Sequence, residues 1–151
     1  MAMKLKVGDP APGFTLTAHH GAPVSLADFR GRRLLLWFYP EAGTPGCTLE
    51  GRSFRDQIEY FNENNIVVAG VSFDPAERIA EFAARENFPF LLLCDRDRTV
   101  ALAYGACESE KAAHAARMSF LIGPSGSIER IYPQVDPRDH AAQVLIDALG
   151  L

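Results

Sequence analysis

The sequence predicts an α/β protein in which a central mixed β-sheet is flanked by helices and preceded by an N-terminal β-hairpin. Two apolar segments, LLLWFY at 34–39 and IVVAGV at 66–71, lack the alternation of a half-exposed strand. We therefore expect two strands that are buried on both faces. Segments with helical spacing follow each of them, an order typical of parallel strands joined by right-handed crossovers. The 151 residues are expected to form one domain, 1–151.

The hairpin is predicted from a local pattern near the N-terminus. Apolar and polar residues alternate at 14–17, a turn follows at 18–22, and a second short segment returns at 23–25. Ser25 is placed to cap a short helical turn that Gly31 ends.

A loop rich in Gly and Pro at 41–46 follows the first buried strand and leads into a helix. We expect that helix to continue to about Asn64, because Phe54, Ile58 and Phe61 keep helical spacing. A helix is predicted from Pro75 to Glu86, capped by Asp74 or Ser72 and closed by Asn87 and Pro89. The remaining elements are predicted as a strand at 90–93, a short helix at 99–104, a hairpin of 118–122 and 127–131, and a helix at 140–149.

This order of elements is the layout of a thioredoxin-like fold. A doubly wound nucleotide-binding fold is the alternative, but the chain has neither GxGxxG after the first strand nor GxxxxGK[ST]. We therefore prefer the thioredoxin-like fold.

Composition excludes several classes of function. The net charge is −4 and no block of basic residues suggests nucleic-acid binding. The longest apolar runs are too short to cross a bilayer, and the N-terminal segment lacks the apolar region of a signal peptide. We expect a cytoplasmic protein that associates with neither nucleic acid nor membrane.

The cysteines indicate free thiols rather than a metal site or a disulfide scaffold. Cys47, Cys94 and Cys107 are far apart, odd in number and form no CxxC pair. His19 and His20 are adjacent in the hairpin turn, where they lack a third ligand nearby. The sequence thus predicts no metal and no cofactor.

Cys47 follows a buried strand and opens a helix, where free N–H groups and the helix dipole favour a thiolate. Thiols in such positions fall from a pKa of about 8.5 into the range of roughly 3.5–7.5. Thr44 offers a hydroxyl one turn earlier, Gly46 lets the backbone come close, and Pro45 removes one donor and covers the thiol. The alternative is an inert buried cysteine.

The segment FYPEAGTPGCT at 38–48 resembles the active-site segment of peroxiredoxins, in particular the bacterioferritin comigratory protein group, also called peroxiredoxin Q. The resemblance extends over nearly the whole chain, through VGDPAPGFTL, LADFRGRRLLLWFYP, RMSFLIGPSG and YPQVDPRDHAAQVL. It implies a thiol-dependent peroxidase that reduces hydrogen peroxide or small organic hydroperoxides without a metal or organic cofactor.

The resemblance also implies roles for individual residues. Cys47 would be the peroxidatic cysteine, which attacks a peroxide oxygen and becomes a sulfenic acid. Thr44 would hydrogen-bond the peroxide and the thiolate. Pro40 and Pro45 would shape the pocket, and Pro45 would limit the access of water.

Two charged residues receive roles only from the resemblance. Arg117 matches the arginine that stabilises the thiolate and orients the substrate, although residue chemistry alone would leave it a surface arginine at a strand start. Glu50 matches a glutamate that orients this arginine, and by itself reads as a solvated helix residue. Gly46 and Tyr39 are supporting candidates, Tyr39 as a residue of the core or of the pocket.

The sequence departs from the group at the resolving cysteine. The group often has that cysteine five residues after the peroxidatic one, where this chain has Arg52, or in the later helix at 75–86, which has none. We expect a one-cysteine enzyme that an external thiol reduces. The alternative is that Cys107, in a polar loop, resolves Cys47, with Cys94 at a strand end as a weaker candidate.

The expected partners are a peroxide and a reductant, which would be thioredoxin, glutaredoxin or a small thiol. We expect a monomer or a weak homodimer. A thiol–disulfide oxidoreductase of the same fold is disfavoured because the second cysteine of a CxxC is missing. A non-catalytic peroxide sensor or chaperone-like protein that uses Cys47 oxidation as a switch remains the other hypothesis, and catalytic turnover would distinguish it.

Overall fold

The computed structural model describes residues 5–150. Residues 1–4 and 151, which belong to the predicted domain and the N-terminal segment considered above, lie outside this range. The strands are β1 (Thr15–Ala18), β2 (Pro23–Ser25), β3 (Arg33–Phe38), β4 (Ile66–Ser72), β5 (Leu91–Cys94), β6 (Met118–Ile122) and β7 (Ile128–Tyr132). The helices are α1 (Pro45–Asp56), α2 (Ile58–Glu63), α3 (Ala76–Glu86), α4 (Thr99–Tyr104) and α5 (His140–Leu149). No helix in the described part of the chain has the length and apolar character to cross a bilayer.

The strands form one mixed sheet in the order β2-β1-β5-β4-β3-β6-β7. Strands β3, β4 and β5 run parallel, whereas the pairs β1–β2, β1–β5, β3–β6 and β6–β7 are antiparallel. This arrangement confirms the predicted mixed sheet and its N-terminal hairpin. It also places β3 in the interior of the sheet, where both of its faces are covered.

Strand β3 separates two apolar cores. Its even-numbered side chains pack on one face of the sheet, together with the 3₁₀ turn at Leu26–Phe29 and with α4. Leu35, Trp37 and the following Tyr39 pack on the other face against α1, α2, α3 and α5. All of these β3 side chains are inaccessible to solvent. Burial of each such side chain stabilises the fold by roughly 1.5–3 kcal/mol, so the sheet positions the segment after β3 rigidly.

The prediction of one helix from the 41–46 loop to about Asn64 is wrong. Gln57, with φ −106° and ψ 7°, separates α1 from α2, and its N–H bonds to the carbonyl of Phe54, three residues back, at 3.2 Å. Phe54 and Phe61 lie in the same core on either side of this break. The apolar spacing therefore continues across Gln57, and the sequence pattern gives no sign of the interruption.

Candidate active site

Cys47 is the third residue of α1, at the end of the sheet where β3 delivers the chain into the loop before that helix. Thr44 is the N-cap residue and Pro45 begins the helix. Thr48 is the first residue of the described α1 whose N–H bonds back to the preceding turn, at 2.9 Å from the carbonyl of Thr44. The N–H groups of Gly46 and Cys47 are thus free to face an anion, as at other helix starts.

Arg117 joins Cys47 to Glu50. Its Nη2 lies 3.6 Å from the Sγ of Cys47, and its Nη1 donates to Glu50 Oε1 at 2.8 Å. The fold brings Arg117 close to Cys47 because β6 begins at Met118, which pairs with Phe38 at the end of β3. Glu50 lies one helical turn after Cys47 on the same buried face of α1. Three residues that the resemblance singled out are therefore brought together.

Glu50 is an unusual carboxylate because solvent does not reach it. Burial raises its pKa to about 7, and the hydrogen bond and positive charge of Arg117 oppose this increase. Glu50 Oε2 has no hydrogen-bond partner within the described residues. The charge balance around Cys47 can consequently change near neutral pH.

Position 46 has no room for a side chain. A Cβ built on Gly46 would lie 2.8 Å from Nη2 of Arg117, closer than real contacts allow. The guanidinium thus occupies the volume in which a side chain at position 46 would lie, and only glycine leaves Arg117 beside Cys47.

The other predicted pocket residues are not all gathered at one point. The hydroxyl of Thr44 donates to the carbonyl of Glu41 at 2.8 Å, and no hydrogen bond within the described residues joins it to Cys47. Pro45 lines an open groove beside α1, whereas Pro40 lines a separate depression of about 250 Å³. The prediction that the two prolines shape one pocket stays a prediction.

Tyr39 lies in the core below the site. Its ring packs against Trp37 at 4.7 Å and Phe82 at 6.0 Å between centroids. Its hydroxyl has no hydrogen-bond partner in the described part of the chain, and burial raises its pKa. The side chain therefore supports the floor of the site as a neutral phenol.

Asp74 is a supporting residue that the sequence did not reveal. The prediction that Asp74 or Ser72 caps a helix starting at Pro75 is wrong, because α3 begins one residue later and has no side-chain cap. Asp74 Oδ2 instead accepts hydrogen bonds from the Ala42 N–H at 2.7 Å and from the Ser72 hydroxyl at 2.8 Å. An aspartate before proline predicts a helix cap, and no local sequence pattern predicts its hydrogen bond to Ala42, 32 residues away.

The remaining cysteines differ in their position relative to the sheet. Cys94, at the end of β5, packs against the same core as Cys47, and its Sγ donates to the carbonyl of Asp74 at 3.3 Å. Cys107 packs against the core on the opposite face. Burial raises the pKa of both thiols, which makes them weaker nucleophiles than free cysteine. No group of three or more potential metal ligands occurs among residues 5–150.

Comparison with known proteins shows the family of the chain. The sequence profile of the AhpC/TSA family matches residues 7–131. The chain belongs to the AhpC/TSA family. Within it, the chain is 36% identical over 148 residues to peroxiredoxin Bcp of Bacillus subtilis, which covers 95% of this chain and 94% of the relative.

Solved structures of AhpC/TSA proteins extend the comparison to the fold. Peroxidoxin BcpB of Mycobacterium tuberculosis superposes with a TM-score of 0.90 at 30% identity and covers 98% of this chain and 99% of its own. The bacterioferritin comigratory protein of Xanthomonas campestris, studied for its alkyl peroxide reduction activity, gives 0.85 at 27% identity over 91% of this chain and 90% of its own.

Membership of this family confirms two predictions, the thioredoxin-like fold and the resemblance to peroxiredoxins of the bacterioferritin comigratory protein group. The chain is accordingly an enzyme, a thiol-dependent peroxidase, and the hypothesis of a non-catalytic sensor or chaperone-like protein is disfavoured.

Proposed function

We propose that Cys47 reduces small organic hydroperoxides and hydrogen peroxide, and that Arg117 and the first turn of α1 stabilise the reacting atoms. The single observation that carries the proposal is the position of Arg117, which lies 3.6 Å from Cys47 Sγ and is held by Glu50 at 2.8 Å. A thiolate, a guanidinium and two free N–H groups then face the same small volume.

The reaction balances without a metal. The Cys47 thiolate attacks the terminal oxygen of ROOH, a sulfur–oxygen bond forms, and the oxygen–oxygen bond breaks. The cysteine becomes a sulfenic acid and RO⁻ leaves, taking a proton to become ROH. Arg117 and the N–H groups of the first turn lower the barrier because they face the charge that develops on oxygen. The Thr44 hydroxyl would have to turn from Glu41 to join them.

The activity of the Xanthomonas campestris relative makes alkyl hydroperoxides the substrate class that we favour. An external thiol would complete the cycle, since the sheet lies between the cores against which Cys47 and Cys107 pack. The proposed reductants are thioredoxin, glutaredoxin or a small thiol, and we further propose a cytoplasmic location and a monomer or weak homodimer.

A peroxidase assay with tert-butyl hydroperoxide and an excess of dithiothreitol tests the proposal. We expect the wild type and a Cys94→Ser/Cys107→Ser variant to turn over many times, and Cys47→Ser to be inactive. Full activity of Cys47→Ser would refute the assignment of the thiol. Consumption of one equivalent of peroxide followed by arrest would instead indicate a sensor, and a Cys47–Cys107 disulfide in the oxidised wild type would refute the one-cysteine cycle.

A further inference from the structure

A groove of about 860 Å³ runs along α1 on the side of the helix away from its buried face. We call it the arginine groove, because Arg52 and Arg55 of α1 line it together with Arg85 of α3. The active-site turn forms one end of the groove, where Gly43 and Pro45 lie. The groove therefore reaches residues on both sides of Cys47 in the sequence, whereas Cys47 itself is buried and does not line it.

The positive charge of the groove is not fully neutralised within the described structure. Glu86 accepts hydrogen bonds from Nε of Arg52 at 2.6 Å and from Nε of Arg85 at 3.3 Å. Asp56, which does not line the groove, pairs with Arg55 at 3.1 Å. Three guanidinium groups thus meet two carboxylates, and one positive charge is in excess on a chain whose net charge is −4.

The donors that remain free lie toward the active-site turn. Nη1 and Nη2 of Arg85 donate to no group within residues 5–150, and Nη2 lies 3.4 Å from where a Cβ on Gly43 would be. The Arg85 side chain is half exposed, so its Nη1 and Nη2 groups are accessible to a ligand. A guanidinium with two free N–H groups binds a carboxylate through two parallel hydrogen bonds.

We propose that the arginine groove binds a low-molecular-weight thiol that carries carboxylates and presents it to oxidised Cys47, an inference that rests on the proposed function. The groove is open, and its volume of about 860 Å³ leaves room for a small molecule. The excess charge selects an anion, and the free donors of Arg85 place its carboxylate at the active-site turn.

The proposed reduction consumes two thiols. The thiolate of the first attacks Sγ of the Cys47 sulfenic acid, a disulfide bond forms, and hydroxide leaves as water after taking a proton. The second thiolate attacks the mixed disulfide at the sulfur of the small thiol and releases the Cys47 thiolate. Two thiols are oxidised to one disulfide and the sulfenic acid is reduced by two electrons. Because Cys47 is buried in the structure, the first turn of α1 must move during the attack.

Two thiols that differ only in their carboxylates test the inference. Protein oxidised with one equivalent of hydrogen peroxide is mixed with glutathione, or with glutathione diethyl ester in which both carboxylates are blocked, and the loss of sulfenic acid is followed. We expect the wild type to react about three- to tenfold faster with glutathione, and added salt to reduce this preference. Arg85→Ala and Arg52→Ala should lose it, and Arg85→Lys should retain part of it.

Arg138→Ala is the matched control, since it removes an exposed arginine that pairs with Asp136 outside the groove. Equal rates for the two thiols in the wild type would overturn the inference, as would a preference for glutathione that is unchanged in Arg85→Ala and Arg52→Ala. Binding of S-methylglutathione to the reduced protein, followed by NMR, separates this inference from the proposed function. If S-methylglutathione binds the wild type and Arg85→Ala weakens that binding, the proposed groove is supported even if peroxide fails to oxidise Cys47. The absence of binding to the wild type would refute it.

Discussion

Two arginine–glutamate pairs contact helix α1, one on its inner face and one on its outer face, and their arginines differ in exposure to water. On the inner face, Arg117 and Glu50 are 2.8 Å apart, and the carboxylate is completely buried. On the outer face, Arg52 and Glu86 are 2.6 Å apart; the Glu86 side chain is also nearly buried, but about half of the Arg52 side chain is exposed. Similar distances therefore describe two different electrostatic situations.

The two carboxylates consequently respond in opposite ways. Burial raises the pKa of Glu50 to about 7, because one arginine does not fully replace the lost water. The hydrogen bond from Arg52 lowers the pKa of Glu86, which Arg85 also contacts. The inner pair is thus suited to control the charge beside a reacting thiol, and the outer pair to hold permanent charge at the surface.

Arg117→Ala tests the inner pair and should have the largest effect. Without the guanidinium, the thiolate and the departing oxygen lose their cationic partner and Glu50 is buried alone. We expect the rate of Cys47 oxidation by peroxide to fall about 10²- to 10³-fold, the cost typical of losing one donor to a developing oxyanion. Stopped-flow measurement of peroxide consumption in a single turnover gives this rate directly.

Arg33→Ala is a matched control for that variant. Arg33 is also partly exposed and pairs with a glutamate, Glu129 at 2.9 Å, but it lies at the start of β3, at the opposite end of the strand from the site. Its loss should leave the oxidation rate within about twofold. Similar losses of rate in the two variants would show that Arg117 acts through stability rather than on the reaction.

Gly46→Ala tests the geometry of the inner pair without removing a charge. The new methyl group would lie 2.8 Å from the Arg117 guanidinium, which is the flexible end of a long side chain and would move away. Displacement of a catalytic group by about 1 Å is sufficient to slow a reaction up to about 10²-fold, so we expect a loss of about tenfold to hundredfold. Thermal unfolding should change little.

Gly13→Ala is the corresponding control, because a Cβ at Gly13 has no neighbour within 4 Å and its φ is not positive. It should retain the wild-type rate. A wild-type rate in Gly46→Ala would mean that the contact between Arg117 and Cys47 does not limit the reaction.

The features with strong local signals could be predicted from the sequence, and those that join distant segments could not. The apolar run of β3 and the Gly- and Pro-rich loop after it placed Cys47 at a helix start without any knowledge of a family. Arg117 was identified through the resemblance alone, because nothing in RMSFL indicates that β6 brings its preceding residue to Cys47. The contact of Asp74 with the active-site loop and the contact of Arg52 with Glu86 could not be predicted either, because each joins segments that are distant in sequence.

Opposite pH dependences of stability are the last and smallest expected difference between the two pairs. The pKa of Glu50 is raised on folding from 4.5 to about 7, so its favourable contribution is complete below pH 4.5 and is lost as the pH rises through 7. The loss amounts to about 3 kcal/mol at most. Relative to the wild type, Glu50→Gln should therefore gain stability between pH 4.5 and 7.5 in urea unfolding.

Glu86→Gln should behave in the opposite sense. The pKa of Glu86 is lowered on folding, so its contribution is present above pH 4.5 and is lost as the pH falls through the lowered value. The variant should be less stable than the wild type at pH 7, and the difference should shrink in acid. It should also shrink in high salt, because exposed arginines are screened, whereas the Glu50 effect should persist. Two variants with the same pH dependence would show that the arginine contacts do not distinguish the two carboxylates.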